Sequence, residues 1–339
     1  MAALLVVFLQ PSPGWVETHY SNGYYPGWEN AASEVTQALP FSLGDVAGLA
    51  IVAVAIVILL GGHRLRLRAG FGVALIRTFV NLATLAAIVA IWFYASWGWG
   101  YDRAPLETRT AFQAERITPE ATETLRADAI AHMNALALQA HTVKGGWFDR
   151  EQLRSSWLAV VQRLGDAWTP RVGRTKTSLS APLMNANGTS GFVNPFTVES
   201  QLATDLLWFE IPFTTAHEWS HAAGFNREDE ANYIAVISCV RDPDVVAQYS
   251  GWIELFLYLP PKQHYGRSTF VPQVWSDFDA LRERNAHFLN ERFARLSWRA
   301  YNSYLKSNHI ASGIENYNEV TRLLLGIPLD NHGLPVTRG

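Results

Sequence analysis

The sequence predicts a mainly α-helical protein with a small β-sheet, an α+β chain in which membrane-crossing helices precede a folded domain. Three observations carry this. Hydrophobic residues make up 49% of the 339 and charged residues only 17%, below the usual quarter, as when part of a chain faces lipid. Two long uncharged runs fall within the first hundred residues. Beyond them charges return in a helical rhythm, broken only by a Thr-, Ser-, Gly-, Asn- and Pro-rich stretch over residues 170–198. A net charge of -3 gives no basic surface for nucleic acid. The single cysteine, Cys239, excludes an internal disulfide and a Cys-rich zinc site.

Taken in order, residues 1–10 (MAALLVVFLQ) are apolar but too short to span. With no basic start they do not read as a signal peptide; they fit the end of a truncated first span. The aromatic-rich segment that follows reads as an outer loop resting on lipid headgroups. Residues 44–61 form the first full span, limited by Asp45, and residues 78–99 the second, interrupted only by Asn81 and a few hydroxyls. Each approaches the ~20 residues a hydrocarbon core requires. The stretch between them holds Arg64, Arg66, Arg68 and Arg77 and no acid, which by the positive-inside rule makes it a cytoplasmic loop. Trp92, Phe93, Tyr94, Trp97, Trp99 and Tyr101 then supply an aromatic belt at the outer end of the second span. This divides the chain into a membrane region, residues 1–100, and an extracytoplasmic domain, residues 101–339.

In the domain, Thr118 followed by Pro119 marks a helix start, and a second amphipathic helix covers residues 149–165. TKTSLSAPLM and GTSGFVNPFT are the most strand-like segments. From Phe213 onward helices dominate, with residues 274–308 forming one long helix or two in line. WIELFLYL, residues 252–259, is too short to span and reads as core.

The chemistry concentrates in TTAHEWSH, residues 214–221. His217 and His221 stand four apart, so on a helix both imidazoles leave one face and chelate a zinc ion without bending the backbone. Glu218 lies beside the first, placed to hold a water rather than the ion itself. Pro212 suits the helix start and Gly224 its end. A catalytic zinc site needs a third protein ligand and one open position. Glu228 and Glu230, opening the next helix, are the candidates; they lie about 200° apart around it, so only one faces the metal. Glu228 is preferred, because its face carries the small residues Ala231, Asn232 and Ala235. Asn232, one turn on, is placed to hydrogen-bond a ligand from behind.

A helix with His-Glu-x-x-His followed by one with Glu-x-x-Ala-Asp/Asn resembles the gluzincin metallopeptidases, of which thermolysin is one. The resemblance implies Glu228 as third ligand and places Asn232 where an Asp is usual. The short His221–Glu228 spacing departs from the gluzincins and is closer to the metzincins, whose third ligand would fall on Arg227 here, a residue unable to bind metal. Across the chain, VETHYSNGYYP, LPFSLGD, WGWGYDR, GFVNPFTVES, PFTTAHEWSHAAGFNREDEANYIA and YNSYLKSNHIASGIENYNEV are similar to an uncharacterised family of bacterial membrane proteins, domain-of-unknown-function family 3810. That likeness implies membrane helices followed by a zincin-like domain in a bacterial cell membrane.

The expectation is therefore a membrane-anchored zinc peptidase. Zn2+ sits on His217, His221 and Glu228, Glu218 acts as general base, and the substrate is a peptide or protein. Gly191, Phe192, Val193 and Asn194 form an edge strand along which that peptide aligns. His264, Tyr301, Tyr304 and Tyr317 are available as an oxyanion donor, with nothing to choose among them. The alternative is a non-enzymatic membrane protein with a structural or sensory metal site.

Overall fold

The computed structural model describes residues 11–165, 168–260, 265–307 and 317–338. Residues 1–10 and His264 lie outside them, as do the side chains of Tyr301, Tyr304 and Tyr317.

The segment expected to be an outer loop is helical. Ser12 caps a first turn, Pro13–Trp15, which continues through a π-helical stretch, Val16–Tyr24, into helix α1, Tyr25–Ala38. Some of its rings rest on protein, while Trp15 and Tyr24 stay exposed. Val16, Tyr20 and Tyr25 are buried, the Tyr25 hydroxyl donates to the Ala222 carbonyl at 2.9 Å, and Arg103 grips both Glu17 oxygens at 2.9 Å. These contacts join residues far apart in sequence, so no local pattern announces them.

Two helices long and apolar enough to cross a membrane follow: α2, Leu43–Ala69, and α3, Phe71–Ser96. Ser42 caps the first, accepting from the Asp45 amide at 3.0 Å. The basic stretch expected to be a loop is mostly helical as well. Only Gly70 interrupts it, with a φ of 84° that glycine adopts without a Cβ penalty. At about 1.5 Å per residue, each helix is some 40 Å long. Val52, Ile56 and Val57 on α2 and Phe79 and Val80 on α3 stay exposed, which an aqueous surface does not tolerate in so large a patch.

The near end of α2 is fastened to the domain. The amides of Leu43 and Gly44 donate to the Glu199 carboxylate at 3.0 and 2.6 Å. Lys176 pairs with the same carboxylate at 2.6 Å and donates to the carbonyls of Thr36 and Phe41.

The domain opens with α4, Pro119–Thr142, capped by Thr118, and α5, Arg150–Arg163, capped by Asp149. The strand-like region is only partly strand. Lys176 makes a single bridge to Gln201, while Pro182 enters the first turn of a short helix, α6, Ala181–Asn187; proline fits there because it has no amide to leave unpaired. Strands β1, Gly191–Asn194, and β2, Glu199–Leu202, then pair antiparallel, Gly191 opposite Leu202 and Asn194 opposite Glu199. Next come α7, Ile211–Ala222, α8, Glu228–Val240, and α9, Val245–Tyr258. Residues 274–308 give two helices, α10, Pro272–Phe288, and α11, Glu291–Ser307, separated at Leu289 and Asn290. Helix α12, Tyr317–Gly326, packs back on α8. Helices α7 and α8 hold the centre, where Trp157, Trp219, Phe225, Tyr233 and Tyr249 are fully buried.

Candidate metal centre

Helix α7 is fixed along its length by side chains of its own sequence. The Thr214 and Ser220 hydroxyls bond back to the carbonyls of Glu210 and Ala216. The Trp157 indole donates to Ser220 at 2.9 Å, and the Trp219 indole donates to the Gly173 carbonyl at 2.9 Å. Gly224, at φ 86°, ends the helix, and the Phe225 amide returns to the Ser220 carbonyl at 3.1 Å, so the chain reverses into α8 within a few residues.

That reversal brings Glu228 against the two histidines. Nε2 of His217 lies 3.4 Å from Glu228 Oε2, and Nε2 of His221 lies 3.5 Å from the same oxygen. The three ligand atoms fall within 4.8 Å of one another. The imidazole rings are perpendicular, 4.6 Å between centroids. His221 Nδ1 bonds the Phe225 carbonyl at 2.8 Å, which fixes the ring and turns Nε2 toward the cluster.

Glu230, the rival third ligand, points elsewhere. It accepts from the Leu106 amide at 2.9 Å and lies 3.7 Å from Arg109. Asp229 turns to Arg227 at 3.3 Å. Asn232 lies against His217 and accepts from the Tyr258 hydroxyl at 2.8 Å.

Glu218 is buried beside the cluster. Its Oε2 has no hydrogen-bond partner, and its other oxygen faces Gly191, where an added Cβ would come within 2.5 Å of it. Burial pushes the Glu218 carboxyl up to about 8, against the pull of His221. Burial also opposes the His221 cation, but Glu228 and Glu218 outweigh it and bring that imidazole up to about 9. For Glu228, burial is overcome by His221 and His217, and its pKa falls well below the carboxylate range. The His217 pKa is lowered, by burial first and then by His221.

Two of the three spacings can be compared with what a metal needs. Charge-assisted hydrogen bonds run about 2.7–2.9 Å, so 3.4 and 3.5 Å are long for ion pairs. Bonds of about 2.0–2.1 Å to a tetrahedral zinc put ligand atoms about 3.4 Å apart. Two imidazoles and one carboxylate are a donor set of the open catalytic type, and the orphaned Glu218 oxygen is a buried acceptor adjoining it.

The cluster opens into a cavity of about 700 Å³. β1 lines it from Gly191 to Val193, and Phe93, Trp97 and Tyr101 line it from the end of α3 and the turn beyond. Two further polar residues, Glu254 and Tyr258, line it from WIELFLYL, which reads as core; their i, i+4 spacing, which puts them on one face, is the signal for them in the sequence. Glu254 has no ion-pair or hydrogen-bond partner among the described residues, and burial, with Glu210 adding to it, pushes its carboxyl up to about 8. The proposed oxyanion donors all fall outside the described side chains.

A mainly helical chain with two helices able to cross a membrane and a His-His-Glu cluster in its domain is thus the class that fold and site define. The chain matches the protein family of unknown function DUF3810 over residues 20–325 and belongs to it. No curated protein and no solved structure gives a significant match.

Proposed function

We propose that the protein is a membrane-anchored, zinc-dependent peptidase whose zinc ligands are His217, His221 and Glu228. The carrying observation is the ligand-atom spacing, which fits a tetrahedral dication better than an ion pair, next to a buried carboxylate oxygen with no partner. A bound zinc ion supplies Lewis-acid polarisation of the substrate carbonyl and acidifies water. Glu218 takes the proton from the attacking water and passes it to the leaving amine.

β1 positions the peptide. The Ala203 amide bonds the Ser190 carbonyl, so the peptide groups of Phe192 and Asn194 also turn toward β2, while those of Gly191 and Val193 turn away and offer a free edge. An extended substrate adds to that edge by backbone hydrogen bonds. By the positive-inside rule the four arginines near Gly70 favour a cytoplasmic position for that end, which would leave the domain outside.

A structural or sensory metal site is the rival reading, and it gives a buried Glu218 nothing to do. The test is purified protein beside Glu218→Gln. Both should hold one zinc by mass spectrometry, and the variant should lose about 10²–10⁴-fold in peptide hydrolysis. Wild type without zinc, or equal hydrolysis by the two, would sink the proposal.

A further inference from the structure

The cavity is built into the junction with the membrane helices. Phe93 belongs to the last turn of α3, and Trp97 and Tyr101 follow directly; all three form cavity wall. Trp97 packs edge-on against His221, 6.1 Å between centroids, and its carbonyl accepts from the Asn226 side chain at 2.9 Å.

β1 reaches the same boundary from the other direction. At one end Gly191 touches Glu218. At the other, Phe196 in the hairpin turn seats against Trp92 and Phe93 of α3, at 5.4 and 6.3 Å between centroids. With a strand rise of about 3.3 Å per residue, Glu218 stands only about 10–15 Å from that aromatic anchor. The headgroup layer on each side of a bilayer is about 5–8 Å deep.

An independent feature marks the same level. The Leu179 amide donates to Asp45, in the first turn of α2, at 2.8 Å. Leu179 and its neighbour Leu183 are 72% and 58% exposed, apolar side chains held beside the point where α2 leaves the domain.

From this geometry we infer that the substrate is a membrane-tethered polypeptide, cut a few residues outside its anchor as it lies along β1 with its anchored end toward Phe196. The inference rests on the peptidase reading. A chain leaving the bilayer reaches Glu218 after about 5–10 extended residues, and its anchor stays in lipid beside α3 while the scissile bond meets the metal centre. A soluble polypeptide has to bring its backbone down to the headgroup layer to reach the same place.

Two measurements separate failure of the inference from failure of the peptidase reading. For depth, Cys239 is buried, so Ser190→Cys gives a single reactive thiol at the cavity for a fluorophore. The labelled protein is placed in vesicles of phosphatidylcholine and phosphatidylglycerol. Quenching by a lipid with a nitroxide on its headgroup is expected, at least twofold stronger than by a nitroxide at the acyl-chain end. Quenching by aqueous iodide alone would put the cavity clear of the membrane and overturn the inference, whatever the protein hydrolyses. For substrate, new peptide termini are mapped in membranes carrying wild type or Glu218→Gln. Cuts dependent on Glu218 are expected within about 5–10 residues of a membrane anchor. Cuts spread through soluble polypeptides would overturn the tethered-substrate inference and leave a peptidase. No Glu218-dependent cut would remove both.

Discussion

Between α2 and α3 the chain reverses at Gly70, φ 84°; between α7 and α8 it reverses through Gly224, φ 86°. Both are antiparallel helix pairs turned by a left-handed glycine, and their side chains obey opposite rules. The first pair leaves Val52, Val57, Phe79 and Val80 more than half exposed. The second buries His221, Glu218, Asp229 and Glu230. Exposed aliphatic surface on this scale calls for lipid, and buried ionisable groups call for partners of opposite charge. Asp229 and Glu230 find theirs in Arg227 and Arg109. The imidazoles and Glu228 face one another, at 3.4 and 3.5 Å, distances that suit a shared dication. A positive-φ glycine thus turns an exposed apolar pair in one place and a buried ionisable pair in the other, and the sequence between the turns decides which.

The joint between the two regions is where the comparison breaks most heavily. Lys176 and Glu199 are both buried and paired, and Glu199 also accepts the first amides of α2. Lys176→Met leaves that carboxylate without its cation at the seam. Removing one partner of a buried pair costs about 3–5 kcal/mol, so the midpoint of urea unfolding in detergent should fall sharply. A change below about 1 kcal/mol would show that the hairpin and the domain are fastened by something other than this pair.

Glu29 on α1 sharpens the contrast, because it is a buried carboxylate away from the cluster. The Arg171 amide at 3.0 Å and the Ser33 hydroxyl at 2.9 Å serve it. Burial dominates over these hydrogen bonds and pushes its pKa up to about 7. The folded protein therefore holds this proton more tightly than the unfolded chain. The stabilising contribution is complete below the ordinary value of 4.5 and is lost as pH rises through about 7. At about 1.4 kcal/mol per pH unit the loss is on the order of 3 kcal/mol. The stability difference between wild type and Glu29→Gln should trace this slope across pH 4.5–7; a flat difference would place the Glu29 titration elsewhere.

What the sequence made legible follows from the reach of each signal. Spans were visible because twenty uncharged residues are a local property, and so was the i, i+4 histidine pair. Their connection was misjudged because arginine tolerates helix as readily as loop, so only Gly70 marks the reversal. The helix within the expected outer loop, residues 11–45, leaves no local signal because its partners, Ala222 and Arg103, lie far along the chain. Face geometry separated Glu228 from Glu230, but the contacts that hold Glu230 away, Leu106 and Arg109, are again distant. TKTSLSAPLM looked like strand until Pro182 found a first helical turn.

Gly191 is a strand residue whose identity the site dictates. A Cβ there would meet the Glu218 oxygen at 2.5 Å and the Gln201 carbonyl at 2.9 Å. The backbone of the hairpin cannot yield easily, so Gly191→Ala should displace the carboxylate. A misplacement of about 1 Å costs on the order of 10²-fold in rate. Zinc content should stay at the wild-type level, since no ligand is touched. Loss of zinc together with rate would mean that the strand supports the metal centre itself rather than the base.

Asn232 tests the smallest coupling. It touches His217 and takes a hydrogen bond from Tyr258, so it ties a ligand on α7 to α9 through α8. Groups that orient a metal ligand from behind are worth about 10–100-fold in affinity. Asn232→Ala should weaken zinc binding by that factor in a chelator competition. Tyr258→Phe, which removes only the hydroxyl that steadies Asn232, should weaken it less. Equal losses in the two variants would mean that the hydroxyl carries the whole effect and Asn232 merely relays it. No loss in either would leave His217 held by α7 alone, through its own packing against Phe213, 6.1 Å between ring centroids. Between α2 and α3 the tie is of another kind, the Arg66 guanidinium over the Phe71 ring at 5.3 Å, and the exposed aliphatic positions there should accept one aliphatic residue for another with little change.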